Sequence, residues 1–225
     1  MDGNKEKLGT MPLGRLMFQL AVPTVFAQIV NLLYNLVDRI YVGRIPGEGP
    51  MALAGLGVTF PVIMLISAFA ALVGQGGAPR ASICMGQKDM EGAERILGSS
   101  TAFLIVLSLV LSVAFMAVKE PLLMMFGASE TTIPYANEYL GIYLLGTIAV
   151  QIALGLNQFV TCQGFARTGM MTVLIGAVLN IILDPILIFG FDMGVSGAAV
   201  ATVFSQAVSA LWVFWFLCSK KSIIR

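Results

Sequence analysis

Residues 168–190 read TGMMTVLIGAVLNIILDPILIFG. The only ionisable group in this stretch is Asp184, set directly against Pro185. A helix needs about 20 residues to cross some 30 Å of hydrocarbon. The uncharged part, 168–183, is shorter than that, so a crossing here must carry Asp184 inside it. A carboxylate in such a place costs about 3 kcal/mol on insertion scales and marks a group that binds or moves something. Pro185 removes one backbone donor, so the Ile181 carbonyl loses its helical partner one turn before the carboxylate. The carboxylate, that carbonyl and the Asn180 amide then lie on adjacent turns, a set of oxygen ligands suited to a proton or a hard cation.

The rest of the chain has the same character. It is 58% hydrophobic and 11% charged, which excludes an ordinary soluble domain. Uncharged runs occupy 16–37, 51–79, 96–118, 139–166, 168–183 and 193–219. They predict an all-α polytopic membrane protein with six transmembrane helices over 16–38, 51–77, 96–118, 135–160, 168–190 and 194–218. The short alternating segments of a transmembrane barrel are missing. The first run is too long for a cleavable leader and is followed by five more, so it reads as a span.

With the N-terminus placed inside, Lys5, Lys7, Arg15, Arg80, Lys88, Arg95, Arg167, Lys220, Lys221 and Arg225 fall on the cytoplasmic side. Only Arg39, Arg44 and Lys119 fall outside, so the positive-inside rule puts both termini in the cytoplasm. Trp212 and Trp215 before Lys220 form an interfacial belt. The inner segment 86–95 reads either as a short surface helix or as a solvated connector. Cys84, Cys162 and Cys218 are far apart and read as small buried hydrophobes rather than a disulfide or metal framework. Histidine is absent, which removes the commonest general base and metal ligand. Gly74-Gln-Gly-Gly77 lacks the Lys-Ser/Thr ending of a phosphate loop.

Other polar groups fall within the spans. Gln28, Asn31, Asn35 and Asp38 share one face of the first helix, with Tyr34 one turn before Asp38 and within reach of it. They read as interhelical hydrogen-bond glue or as the wall of a wet cavity; Asp38 alternatively pairs with Arg39 at the helix end. Pro23 is expected to kink this helix. The fourth span holds Gln151, Asn157, Gln158 and Gln163. The sixth opens with Gly190, Gly194, Gly197, Ala198 and Ala201, small residues that let a neighbour approach. Thr202 is placed to bond Asp184 or Asn180. Met64 and Ser67 sit one turn apart in the second span, where a methionine suits packing or a surface for varied ligands.

Taken together, several stretches resemble the multidrug and toxic compound extrusion (MATE) transporters. They are Pro23 with Asn31-Leu-Leu-Tyr34-Asn35-Leu-Val-Asp38-Arg-Ile-Tyr-Val-Gly43, Ala52-Leu-Ala-Gly-Leu-Gly57, Gly86-Gln-Lys-Asp-Met-Glu-Gly-Ala93, Asn180 through Gly190, and Gly194-Val-Ser-Gly197-Ala-Ala-Val-Ala-Thr202. The resemblance implies a twelve-helix fold of two six-helix lobes, with residues 1–225 as one lobe. It implies export of organic cations and other amphipathic compounds, driven by inward H⁺ or Na⁺, with no cofactor and no enzymatic activity. By motif position the cation site, for H⁺ or Na⁺, falls on Asp38, Asn180, Asp184 and Thr202, with Tyr139 in the same network. Substrate contacts fall on Asn31, Met64, Ser67 and Asn157, and the hinges on Pro23 and Pro185. The expected partners are small-molecule substrates, membrane lipid and a second six-helix lobe, supplied by a longer chain or another one; no nucleic acid is expected. The expected location is the cytoplasmic membrane.

Two carboxylates facing one low-dielectric cavity titrate as a pair. Binding a cation there would cancel charge, close the cavity and release a cationic drug. A lipid-linked precursor flippase would need basic groups deep in the spans, and none occurs. A half that is inactive until it assembles remains the other alternative. An intramembrane protease would need Ser with His, or Tyr-Asp and Gly-x-Gly-Asp motifs, all of which are missing.

Overall fold

The computed structural model describes residues 12–224. Lys5, Lys7 and Arg225, counted in the charge tally, lie outside the described residues. Seven α-helices follow in order: α1 Leu13–Gly43, α2 Gly49–Gly86, α3 Met90–Met125, α4 Ile133–Leu145, α5 Thr147–Cys162, α6 Ala166–Pro185 and α7 Gly194–Cys218. A π turn, Ile186–Gly190, follows α6. The described residues contain no strand. Five helices are long and apolar enough to cross a membrane, and the pair α4–α5, taken as one crossing, makes six.

The helices overrun the expected spans. Those spans stop at the first charge, whereas a helix continues into the interfacial layer, where Arg39, Arg80 and Lys119 can reach water. The segment 86–95 forms no separate surface helix. Asp89 accepts a hydrogen bond from the Gly92 amide at 2.9 Å and so caps α3, whose first turns carry Glu91 and Arg95, paired at 3.1 Å. The cysteines are not buried either: Cys84 and Cys162 are half-buried and Cys218 is exposed. In a bilayer protein an exposed sulfur can face lipid, so the soluble-protein expectation fails.

The fourth span is not one straight helix. It bends by 60° at Gly146 between α4 and α5. A Cβ on Gly146 would lie 2.5 Å from Val203, so glycine lets α7 press into the bend. The break frees carbonyls inside the apolar layer, and a side chain and a backbone amide take them up. Ser112 of α3 donates to the Leu144 carbonyl at 2.6 Å, and the Gly146 amide donates to Tyr143 at 3.0 Å.

The α1 helix packs mainly along α6; α2 lies against α5 and α3; α7 lies between α5 and α6 and touches α4. One apolar cluster gathers around Ile66, Leu140 and Leu144, and a second around Leu104, Phe159 and Val213. Helix α1 is continuous through Pro23. At Pro185, by contrast, the α-helix ends, and the Phe191 amide bonds five residues back to Ile186 at 2.9 Å. The missing proline donor coincides with this change of pitch, a pattern common near functional sites.

The small residues that open α7 have different roles. A Cβ on Gly197 would lie 2.8–2.9 Å from Leu187 and Ile188 backbone atoms, so this glycine lets α7 touch the π turn. Gly190 and Gly194 have open space where a Cβ would go, so neither serves close packing; Gly194 instead adopts φ +54°. Gly197→Val is expected to lever α7 off the π turn and cost about 1–3 kcal/mol. A lowered Tm in detergent reads this out; an unchanged Tm would contradict it.

Candidate functional site

Asp184 stands at the end of α6 and is fully buried; Asp38, near the end of α1, is 8% exposed. The two carboxyl groups are close enough to interact, although no hydrogen bond joins them. The Asn180 Nδ2, one turn before Asp184, donates to Asp184 Oδ1 at 3.2 Å and to Thr202 Oγ1 of α7 at 3.4 Å. Tyr139 of α4 is buried beside Thr202 and Asp38. It stacks on Tyr143, with centroids 6.4 Å apart and planes at 15°, and Tyr143 in turn neighbours Ser67 of α2. Four helices therefore supply the cluster of Asp38, Asn180, Asp184, Thr202 and Tyr139, and the tyrosine pair extends it to a fifth.

The site is rich in acceptors. Asp38 Oδ1, Asn180 Oδ1 and Asp184 Oδ2 are buried without a hydrogen-bond partner among the described residues. Unpaired buried acceptors cost about 1–3 kcal/mol each, more for charged groups. Two unit charges 4 Å apart repel by about 4 kcal/mol at an effective dielectric of 20. Arg39 is the nearest protein cation and favours the charged Asp38 only from a distance, without forming an ion pair. The only ion pair among the described residues is Arg95 with Glu91, and the Arg39 guanidinium lies 5.2 Å over the Phe60 ring instead of pairing with Asp38. The helix-end ion pair considered for Asp38 is thus not formed. A proton shared between the carboxyls, or a hard cation among these oxygens, would satisfy the set. Among the described residues no group of three or more His, Cys, Asp or Glu side chains converges, so the donor set is not that of a soft transition metal.

The remaining polar residues of α1 do not act as glue between these helices. Gln28 and Asn35 are exposed, and Asn35 donates to its own helix at the Asn31 carbonyl, 2.7 Å away. Tyr34 is half-buried and makes no hydrogen bond to Asp38. Asn31 and Ser67 are half-buried, and Met64 is 55% exposed. Asn157 does not join the cation cluster. Its Nδ2 donates to the Gly169 carbonyl at 3.2 Å, near the start of α6. At 1.5 Å per residue this is about 16 Å along the helix from Asn180.

Sequence reasoning missed two parts. Tyr143 was legible only as an i,i+4 neighbour of Tyr139. Gln163 read as one more polar residue of the fourth span, yet it is fully buried and holds the segment 222–224. Its Oε1 accepts from Ser222 Oγ at 2.9 Å, the Ile223 amide at 2.7 Å and the Ile224 amide at 3.3 Å. Its Nε2 donates to the Phe159 carbonyl at 3.0 Å.

The MatE family profile matches residues 23–186. The chain is similar to an FAD transporter of Shewanella oneidensis, 29% identical over 92% of this chain and 46% of that protein. It is also similar to the multidrug export protein MepA of Staphylococcus haemolyticus, 27% identical over 92% of this chain and 46% of that protein. Among solved structures, the outward-facing conformation of a multidrug resistance MATE family transporter of the MOP superfamily matches with a TM-score of 0.86 at 30% identity, over 93% of this chain and 46% of that one. The chain spans about half the length of the curated relatives it matches.

Proposed function

The chain belongs to the MatE family, and on that premise we propose that it is one lobe of a cation-coupled exporter of amphipathic organic compounds. The single observation that carries this reading is the buried Asp38–Asp184 pair, beside Asn180, Thr202 and Tyr139 and with no ion-pair partner among the described residues. The coupling ion, H⁺ or Na⁺, is cargo that enters this cluster.

The mechanism follows from where the two carboxylates sit. Asp38 is on α1, and Asp184 is on α6 beside the π turn. With both ionised they repel, and α1 is pushed from α6. A cation between them removes that repulsion and draws α1 in. An amphipathic cation held by the negative field on the exposed side of α1 then loses its attraction and leaves. Asn31 of α1 and Met64 and Ser67 of α2 serve as the substrate contacts, Pro185 is the hinge next to the carboxylate, and Pro23 is the hinge of α1. Asn157, apart from the cluster, would touch substrate only from the far end of α6. Export needs a second six-helix lobe against which this one rocks. The chain is a multi-pass membrane protein, and its charge asymmetry supports the cytoplasmic membrane, with both termini inside.

The test is export of ethidium from proteoliposomes by the complete two-lobe transporter under an imposed H⁺ or Na⁺ gradient. One of the two gradients is expected to drive export. If neither moves the dye above an ion-equilibrated control, the proposal fails.

A further inference from the structure

A cavity of about 580 Å³ lies between the first turns of α1 and α6, far from the carboxylate cluster. Arg15 and Arg167 line it together with Phe18, Val22, Phe26 and Met170. Both arginines are exposed, and neither has an ion-pair partner among the described residues. The lining includes no carboxylate. Phe18 is 74% exposed, Val22 51% and Phe26 48%, so the apolar wall continues onto the outward face of α1. Each arginine stands in the first turn of its helix, where a positive charge opposes the helix dipole and gains from an added anion.

We propose that this cavity binds an acidic phospholipid of the cytoplasmic leaflet. The two guanidinium groups would hold the phosphate, for which their planar forks are suited. The first carbons of an acyl chain would run along Phe18, Val22 and Phe26. Charge complementarity selects the headgroup, and the apolar wall selects a lipid over a soluble phosphate. Basic pockets between membrane helices on the inner side recognise anionic headgroups by this chemistry. The lipid would bridge α1 and α6, the two helices that carry Asp38 and Asp184. The assignment to the inner leaflet rests on the orientation given above.

Native mass spectrometry of the complete protein in detergent tests this, titrating phosphatidylglycerol against phosphatidylcholine. Transport and orientation do not enter that measurement, so its failure is distinct from failure of the export reading. The wild type is expected to retain phosphatidylglycerol preferentially. R15Q and R167Q are each expected to weaken that retention about fivefold, and the double variant to erase the preference. R15K/R167K keeps both charges and is expected to keep a preference for the anionic lipid. R80Q removes another exposed inner arginine and is expected to change nothing. The proposal is overturned if R15Q/R167Q keeps wild-type selectivity, if R80Q costs as much, or if R15K/R167K loses the preference. Displacement of the lipid by excess inorganic phosphate would assign the site to a soluble anion and equally overturn it.

Discussion

Asp184→Asn in the complete transporter is expected to remove the ion dependence of export while leaving the fold in place. Asparagine is close in size and can still accept from Asn180 Nδ2, now 3.2 Å from Asp184 Oδ1. What it cannot do is change charge. Binding couplings between two ligands are typically worth 5- to 150-fold, and losing the charge forfeits about that factor in gradient-driven ethidium export. Asp38→Asn should act the same way. The double variant should be no worse than either single one, because the carboxylates work as one unit and such effects do not add. Substrate affinity measured without a gradient should fall less than export does. Wild-type export by both single variants would exclude the pair as the cation switch.

The second large effect concerns Gln163. Its Oε1 accepts from three donors of the segment 222–224, and Ile224 is fully buried in the cluster that holds Phe159 and Val213. Gln163→Leu keeps the volume and removes every acceptor. Ser222 can still donate to the Ile224 carbonyl, 2.6 Å away, but the Ile223 and Ile224 amides lose their partner. At about 1–3 kcal/mol for each stranded buried donor, the segment should cost more to hold than its apolar contacts return. The expected results are a clearly lowered Tm in detergent and rapid thiol labelling of Ile224→Cys in the Gln163→Leu background. Slow labelling, as in the Gln163 background, would show that apolar burial alone retains the segment. Gln163→Glu keeps the acceptor and should label slowly.

These two sites differ in how far the sequence disclosed them. Asp184, Asn180 and Thr202 were legible because a charge in an apolar run is costly, and helical spacing brings its helpers to adjacent turns. Asp38 was less so: its neighbours Gln28 and Asn35 share its face yet are exposed, and only packing separates them from it. The bend at Gly146 was invisible, since hydropathy is the same for a straight and a broken helix; the reason for it lies on α7, in Val203. Gln163 was opaque for a related reason. Its partners are 59 to 61 residues further along the chain, and nothing local to it specifies them.

The break at Gly146 also governs how the polypeptide enters the bilayer. The two arms hold 13 and 16 residues, about 20 and 24 Å of helix at 1.5 Å per residue. Neither reaches across hydrocarbon some 30 Å thick. A translocon that releases helices one by one into lipid would find no competent unit in either arm. Partitioning therefore waits until both have been synthesised. Ser112, already emplaced on α3, and Val203, which arrives later on α7, then fix the angle between the arms. Biogenesis of this crossing is thus tied to its neighbours on both sides, and a ribosome stalled before α7 would leave the bend only half supported.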